Sequence, residues 1–513
     1  MLARVTTFAI DGVQPRRVLA EVDIRPGLPA FTIVGLGDAA VRESRERIRV
    51  AIANCGLEFP QRRITANLAP ASLRKAGPGF DAALALALLA ASGQLSPAAL
   101  DGIAVFGELS LGGELRDSPG ALVVAEGARR HHMARLIVPR GRAAEAALVD
   151  GLEVVGVRSL REALAVLRGD AQPEPIPPAG AGDAAATDSP DLADVRGQRA
   201  AIAALEIAAA GGHNLLLEGP PGTGKTMLAS RLPSILPPMS QAEALEVTRI
   251  HSVTGLGNGG LVRQRPFRAP HHTISAVGLV GGGSSPRPGE ASLAHRGVLF
   301  LDELSEFQRS TLDALRQPLE DGQVSIVRGQ HVLVFPTRVM LVAATNPCPC
   351  GYAGDGDRCT CSEADLRRHR RRLSGPLLDR IDLLVNVGRP SERELRETPQ
   401  SDSASVRDRV RLARERQRRR LGEDNADRNC NAQLDAASLR RCVRLSEGAE
   451  TTLDDAYRSG VLSVRGRSRV VRVAQTIADL DGHREIARED LLLALSFRVR
   501  SGNGPLVGAD GRL

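Results

Sequence analysis

Tryptophan is absent from this 513-residue chain, tyrosine occurs twice, and aromatic residues amount to 2% of it. That argues against a base-stacking platform of the kind built by single-strand nucleic-acid binders. Lysine is nearly as scarce, since Lys75 and Lys225 are the only two among 67 basic residues. Arginine in their place, with abundant alanine and glycine, has the look of a GC-rich codon bias, so part of the basic excess belongs to solvated faces. A lysine kept against that background points to chemistry. No apolar run approaches the ~20 residues of a bilayer span, the longest lying near Ala82–Ala91. No apolar stretch follows the early Arg4, so no secretory signal is expected. Seven cysteines, four of them crowded between Cys348 and Cys361, do not form a secreted disulfide framework. Together these absences point to a cytoplasmic protein with no membrane contact.

What is present describes a soluble globular chain, 42% apolar and 25% charged, long enough for about three domains. The net charge of +7 makes an anion such as nucleic acid a candidate partner. With so few aromatics, contact with DNA should run mainly through phosphates. Residues 1–170 alternate short Val/Ile-rich runs with helical patterns at Ala39–Asn54 and Asp81–Ala91, as an α/β domain does. Residues 171–190, rich in Pro, Gly, Ala and Asp, read as a linker. Three apolar strands ending in GPPGTGKT, DE and TN then occur at the spacing of parallel βα units within 191–395. Arginine-rich helical patterns fill 396–500, and 501–513 reads as a frayed tail.

The segment Gly219-Pro220-Pro221-Gly222-Thr223-Gly224-Lys225-Thr226 fits the phosphate-binding loop G-x-x-x-x-G-K-[ST] between a strand and a helix. Its glycines let backbone amides cradle phosphates, Lys225 reaches the β- and γ-phosphates, and Thr226 ligates Mg²⁺. This makes ATP with Mg²⁺ the expected ligand pair. Val298–Leu301 then pushes Asp302 and Glu303 out of a strand end, Asp302 for the Mg²⁺ shell and Glu303 as general base. Asn346 closes the third strand, where an amide can orient the lytic water, although before Pro347 it also suits a turn. Arg380 suits a finger onto a neighbouring subunit's nucleotide, or an ordinary ion pair with Asp379 or Asp382.

RPFRAPHHT (265–273), GGGSSPRPGEASLAHRGVLFLDEL (281–304), NPCPCG (346–351) and LSGPLLDRIDL (373–383) resemble the ComM/YifB family over essentially the whole chain. These bacterial AAA+ ATPases are similar to the ATPase subunit of magnesium chelatase. The resemblance implies an α/β P-loop NTPase core with a C-terminal helical lid, assembled in a hexameric ring. It places sensor 1 at Asn346, the arginine finger at Arg380 and sensor 2 at Arg465. Ser463 is then the helix cap, and Arg469 competes for the sensor role one turn on. The clade includes the MCM replicative helicases, and a family member is implicated in DNA branch migration during natural transformation.

Two inserted elements bear on that DNA role. Residues about Pro266–Pro288 fill the clade's helix-2 insert, with Arg263, Arg265 and Arg268 preceding His271 and His272. The paired histidines are rejected as a metal site, because neighbours on a strand point to opposite faces. Val324–Arg328 and His331–Phe335 flank Gly329 as a β-hairpin at the pre-sensor position, where Arg328 and His331 are candidates for phosphate contact. The arginine runs 367–372 and 414–420 suit DNA patches or solvated helix faces.

Cys348, Cys350, Cys359 and Cys361 form C-x-C-x8-C-x-C in a hydrophilic loop, a pattern that fits a structural Zn²⁺ site or a set of reduced thiols. Residues 1–170 resemble the Lon protease catalytic domain, which is related to ribosomal protein S5. Gly79 takes the approximate place of the protease serine, no lysine matches its partner, and Lys75 has no serine beside it. Peptide hydrolysis therefore lacks its nucleophile and base. The expectation is a DNA motor of the branch-migration or helicase type. A chelatase-like metal-insertion motor and an AAA+ protein remodeller are the alternatives.

Overall fold

A computed structural model describes residues 1–177, 190–257, 259–283, 286–328, 331–353, 358–372, 375–398, 401–422, 430–460 and 462–498. Most of the expected linker, the expected tail, Gly329 and Ser374 lie outside the described residues, as do the side chains of Arg328 and His331. Among the described residues no helix is long and apolar enough to cross a membrane. The chain divides into two compact units.

The first unit comprises Met1–Ala186, Ser240–Arg263 and Val327–Phe335. Its sheet has seven strands: β1 (Leu2–Asp11), β2 (Gln14–Arg25), β3 (Ala30–Val34), β4 (Arg63–Ala69), β5 (Ile103–Val105), β6 (Arg135–Pro139) and β7 (Glu153–Val157). They run in the order β3-β4-β2-β1-β5-β6-β7. The β1–β2 hairpin is antiparallel, and Gly12 turns it at φ +66°, a conformation that favours glycine. Helix α1 (Ala39–Asn54) buries a stripe of Val41, Ile48 and Ile52. Every residue of α2 (Asp81–Ala91) is buried, as its unbroken apolar run requires. The one acid in that helix, Asp81, is held by Arg47 at 2.8 Å and by the Ser44 hydroxyl.

At Gly79 an added Cβ would stand 2.4 Å from the Phe106 ring, so the fold fills the room a serine side chain needs. Lys75 is fully buried and donates to the Pro70 carbonyl, while burial pushes its pKa down. The lysine is thus used in packing the fold. Helix α3 (Ala121–Arg130) carries Glu126, which Arg249 grips through both oxygens, the shorter contact being 2.6 Å. Arg249 lies on α4 (Gln241–Thr254), whose start is fixed by a Ser240–Glu243 capping box.

The second unit comprises Thr187–Met239, Gln264–Ile326 and Pro336–Leu513. Its sheet contains β8 (Leu215–Glu218), β9 (Phe267–Arg268), β10 (Val298–Leu301), β11 (Met340–Thr345) and β12 (Leu383–Asn386). All pairings are parallel, in the order β9-β10-β11-β8-β12. Leu215, Leu217, Val298, Phe300, Val342 and Ala344 face one apolar layer, and Leu216, Leu299, Leu301, Leu341 and Ala343 face another. Burial on both faces explains why these strands read as continuous apolar runs. The strand β9 belongs to this sheet, so the inserted element begins after Arg268 and not at Pro266. It holds a short helix, Ala276–Val280, and a two-stranded ribbon of Gly281–Gly282 with Arg287–Pro288.

Beyond β12 the described elements are helical. Helix α5 (Ser403–Leu421) buries Val406, Val410, Ala413, Gln417 and Leu421 along one stripe. Three arginines of the 414–420 run are engaged within the fold, while Arg418 and Arg419 stand exposed as a solvated face does. Arg414 donates to the Ala209 carbonyl, Arg416 to the Asp479 carbonyl, and Arg420 grips the Asp479 carboxylate at 2.6 and 2.8 Å. Arg414 thus ties this helix to the ATPase core, and Arg416 and Arg420 tie it to the rest of the helical domain.

Candidate functional site

Loops leaving the carboxyl ends of β8, β10 and β11 converge on one cleft, as open parallel sheets arrange their ligand sites. The cleft has a volume of about 450 Å³ and is lined by Pro221 to Met227, Asp302, Glu303, Thr345 and Asn346. Gly222 and Gly224 hold φ of +78° and +86°, and a Cβ on Gly219 would lie 2.2 Å from the Val387 carbonyl oxygen. Only glycine meets those conditions without strain. The loop passes into a short helix, Lys225–Ser230.

The Lys225 Nζ donates to the carbonyls of Gly219 at 2.6 Å and Pro220 at 2.8 Å, and to Asn346 Oδ1 at 3.2 Å. Gly219 and Pro220 thus support the lysine and do not line the cleft. Burial pulls the Lys225 pKa below the ordinary lysine value, while Asp302 and Glu303 oppose that shift. The Thr226 hydroxyl donates to Asp302 Oδ2 at 2.8 Å, which unites the two oxygens that suit a Mg²⁺ shell. Glu303 occupies the left-handed region at φ +51°, rare for a side chain of its size, and its amide donates to Asp302 Oδ1 at 2.9 Å. Such a backbone costs on the order of 1 kcal/mol and turns the carboxylate away from an ordinary strand exit.

His272 enters this site unforeseen. Its Nδ1 lies 3.5 Å from Glu303 Oε2 and its ring sits edge-on to Phe307. The opposite-face argument fails for the histidine pair, because neither residue lies in a strand and their ring centres are 4.1 Å apart. No local pattern could have shown a pairing made across the fold. The neighbouring arginines are corrected too. Arg265 donates to the carbonyls of Pro237 and Arg296, and Arg268 grips Glu290 at 2.7 and 2.9 Å, so both serve the fold.

Arg380 does not line the cleft. Its side chain is 14% exposed and pairs with Glu320, not with Asp379 or Asp382. Arg469 pairs with Asp382 at 3.7 Å, whereas Arg465 is exposed on α6 (Val464–Asp481). The Ser463 hydroxyl accepts the Gly466 amide at 3.1 Å and caps that helix. The hairpin strands Gln323–Arg328 and His331–Pro336 pair, with Leu333 and Phe335 buried and Val327, Val332 and Val334 exposed.

Next to the cleft, Cys348 Sγ lies 3.3 Å from Cys350 Sγ and 3.9 Å from Cys359 Sγ, and the last two are 3.7 Å apart. All four sulfurs, Cys361 included, fall within 4.8 Å of one another. The Tyr352 amide, then the Cys348 thiol, draws the Cys350 thiol down to about 6. The donor set fits Zn²⁺.

Residues 191–395 match the family described as magnesium chelatase, subunit ChlI, and residues 400–498 its C-terminal family. Residues 20–142 match the family described as subunit ChlI of Mg-chelatase. An uncharacterized protein of Mycobacterium tuberculosis is 45% identical over 97% of this chain and 98% of its own length. The YifB protein of Escherichia coli is 44% identical, and the competence protein ComM of Haemophilus influenzae 43% identical, each over 97% of both chains. A shared phosphate loop is common to many proteins, but likeness along nearly the whole length is not. The chain belongs to the ComM/YifB family of magnesium chelatase-like AAA+ proteins.

Proposed function

We propose that this protein is a cytoplasmic, Mg²⁺-dependent ATPase that works as a homo-oligomeric ring, a hexamer, and spends ATP on remodelling branched DNA. The observation that carries the ATPase reading is the meeting of Lys225, Thr226, Asp302, Glu303 and Asn346 in one cleft. The loop amides and Lys225 bind the phosphates. Thr226 and Asp302 would hold Mg²⁺, which supplies charge neutralisation at the β- and γ-oxygens. Glu303 takes the proton of the attacking water, with Asn346 orienting that water as sensor 1. Arg380 stabilises transition-state charge on the neighbouring subunit, and Arg465 serves as sensor 2 from the lid. Arg469 is the weaker choice for that role, because Asp382 already engages its charge.

DNA as the substrate is supported by the likeness to a competence protein and by the basic balance of the chain. Metal insertion is the standing rival. The N-terminal domain does not separate this chain from chelatase subunits, since residues 20–142 match a family described as such a subunit. ATPase rates measured with and without single-stranded, duplex and four-way-junction DNA separate the two. Stimulation is expected, with affinity falling by a log–log salt slope of about 0.9 per phosphate contact on duplex and varying little with base sequence. An ATPase indifferent to every DNA would overturn the DNA reading.

A further inference from the structure

The four cysteines stand directly behind the nucleotide cleft. Zinc–sulfur bonds of about 2.3 Å in a tetrahedron place sulfurs about 3.8 Å apart, and the measured separations of 3.3, 3.7 and 3.9 Å bracket that edge. A disulfide would need sulfurs about 2.05 Å apart. The Ala353 amide donates to Cys348 Sγ at 3.2 Å, an outer contact that orients a metal-bound sulfur. The chain from Asn346 to Ser362 is mostly Gly, Asp, Pro and Cys, too poor in apolar residues to order itself. A bound metal supplies what hydrophobic burial does not.

Both ends of this loop reach the cleft. On one side Cys348 is buried and lies two residues beyond Asn346. Gly351, at φ +89°, donates its amide to the Cys348 carbonyl at 3.0 Å. It meets the phosphate loop so closely that a Cβ there would stand 2.7 Å from Pro221 Cδ. On the other side Cys361 leads into the helix Glu363–Arg372, whose buried His369 places Nε2 2.9 Å from the Asn346 carbonyl oxygen. The thiol cluster therefore sits between the wall of the phosphate loop and the residue that closes the third strand.

We propose that Cys348, Cys350, Cys359 and Cys361 bind one structural Zn²⁺, and that the loop it closes braces Pro221 and Asn346 in the geometry that receives ATP. The bracing part rests on the ATP-site reading above, whereas the metal part does not. The test uses the full chain, purified without chelator or oxidation, with metal content read apart from nucleotide affinity. Elemental analysis is expected to find about one zinc per chain, and Cys359→Ser to lose it. Removing zinc with a mercurial should weaken binding of a fluorescent ATP analogue about tenfold. Gly351→Ala keeps all four thiols, so it should retain zinc while weakening the analogue by a similar factor. Because that variant separates the brace from the ligands, misfolding of the cysteine variant cannot hide the answer. No bound zinc, or iron in its place, would overturn the metal assignment. Equal analogue affinity with and without zinc, or in Gly351→Ala, would overturn the brace. A zinc-loaded wild type that binds no analogue would instead remove the ATP-site reading and the brace with it, leaving the metal assignment standing.

Discussion

Glu303→Gln is expected to lower the rate of ATP hydrolysis between about a hundred- and ten-thousandfold while leaving nucleotide affinity near that of wild type. The amide keeps the size of the carboxylate but cannot accept the water's proton. Of the groups that hold the nucleotide, Lys225 feels that charge and keeps the support of Asp302. Thr226 and Asp302 remain 2.8 Å apart, and the Glu303 backbone amide still donates to Asp302 Oδ1. His272, 3.5 Å from Glu303 Oε2, loses a charged neighbour, which falls on the same step. Single-turnover hydrolysis beside equilibrium binding of an ATP analogue checks the split. Near-normal turnover in Glu303→Gln would remove the general-base role.

Arg380→Ala is expected to cost on the order of a thousandfold in turnover, again with nucleotide affinity retained. Arg380 takes no part in lining the cleft of its own chain, as a finger onto a neighbour requires, and would have to leave Glu320 to act. Because the Arg380 side chain is only 14% exposed, thermal unfolding of the variant is measured beside its turnover, so that a loss of stability is told apart from a loss of catalysis. Mixing Arg380→Ala with Glu303→Gln subunits should restore some hydrolysis, because a Glu303→Gln subunit can present Arg380 to a neighbour whose base is intact. Unchanged specific activity on dilution to monomers would exclude a role between subunits.

The phosphate loop and the Asp302-Glu303 pair were legible because their chemistry and their turn are written in contiguous residues. The strands feeding them read as unbroken apolar runs, since the sheet is covered on both faces. The first strand is unmarked in the sequence for a related reason. Leu2–Asp11 buries a stretch on both faces, threonines among it, so neither alternation nor an apolar run marks it. The arginines were the least legible residues. Whether Arg265, Arg268, Arg414, Arg416 or Arg420 meets DNA or an internal acceptor depends on carbonyls and carboxylates brought in by the fold. The same holds for His272, whose partner Glu303 lies far along the chain. The cysteine pattern fell between these cases, with ligand types visible in sequence and their convergence visible only in space.

The most direct test of the central claim is a labelled, movable four-way junction incubated with wild-type protein, with Glu303→Gln, and with wild type in a non-hydrolysable ATP analogue. The account predicts that the junction is driven to products by wild type with ATP alone, while Glu303→Gln binds it without moving the branch point. No ATP-dependent movement by wild type, together with no stimulation of its ATPase by DNA, would contradict the account and favour the metal-insertion or protein-remodelling reading.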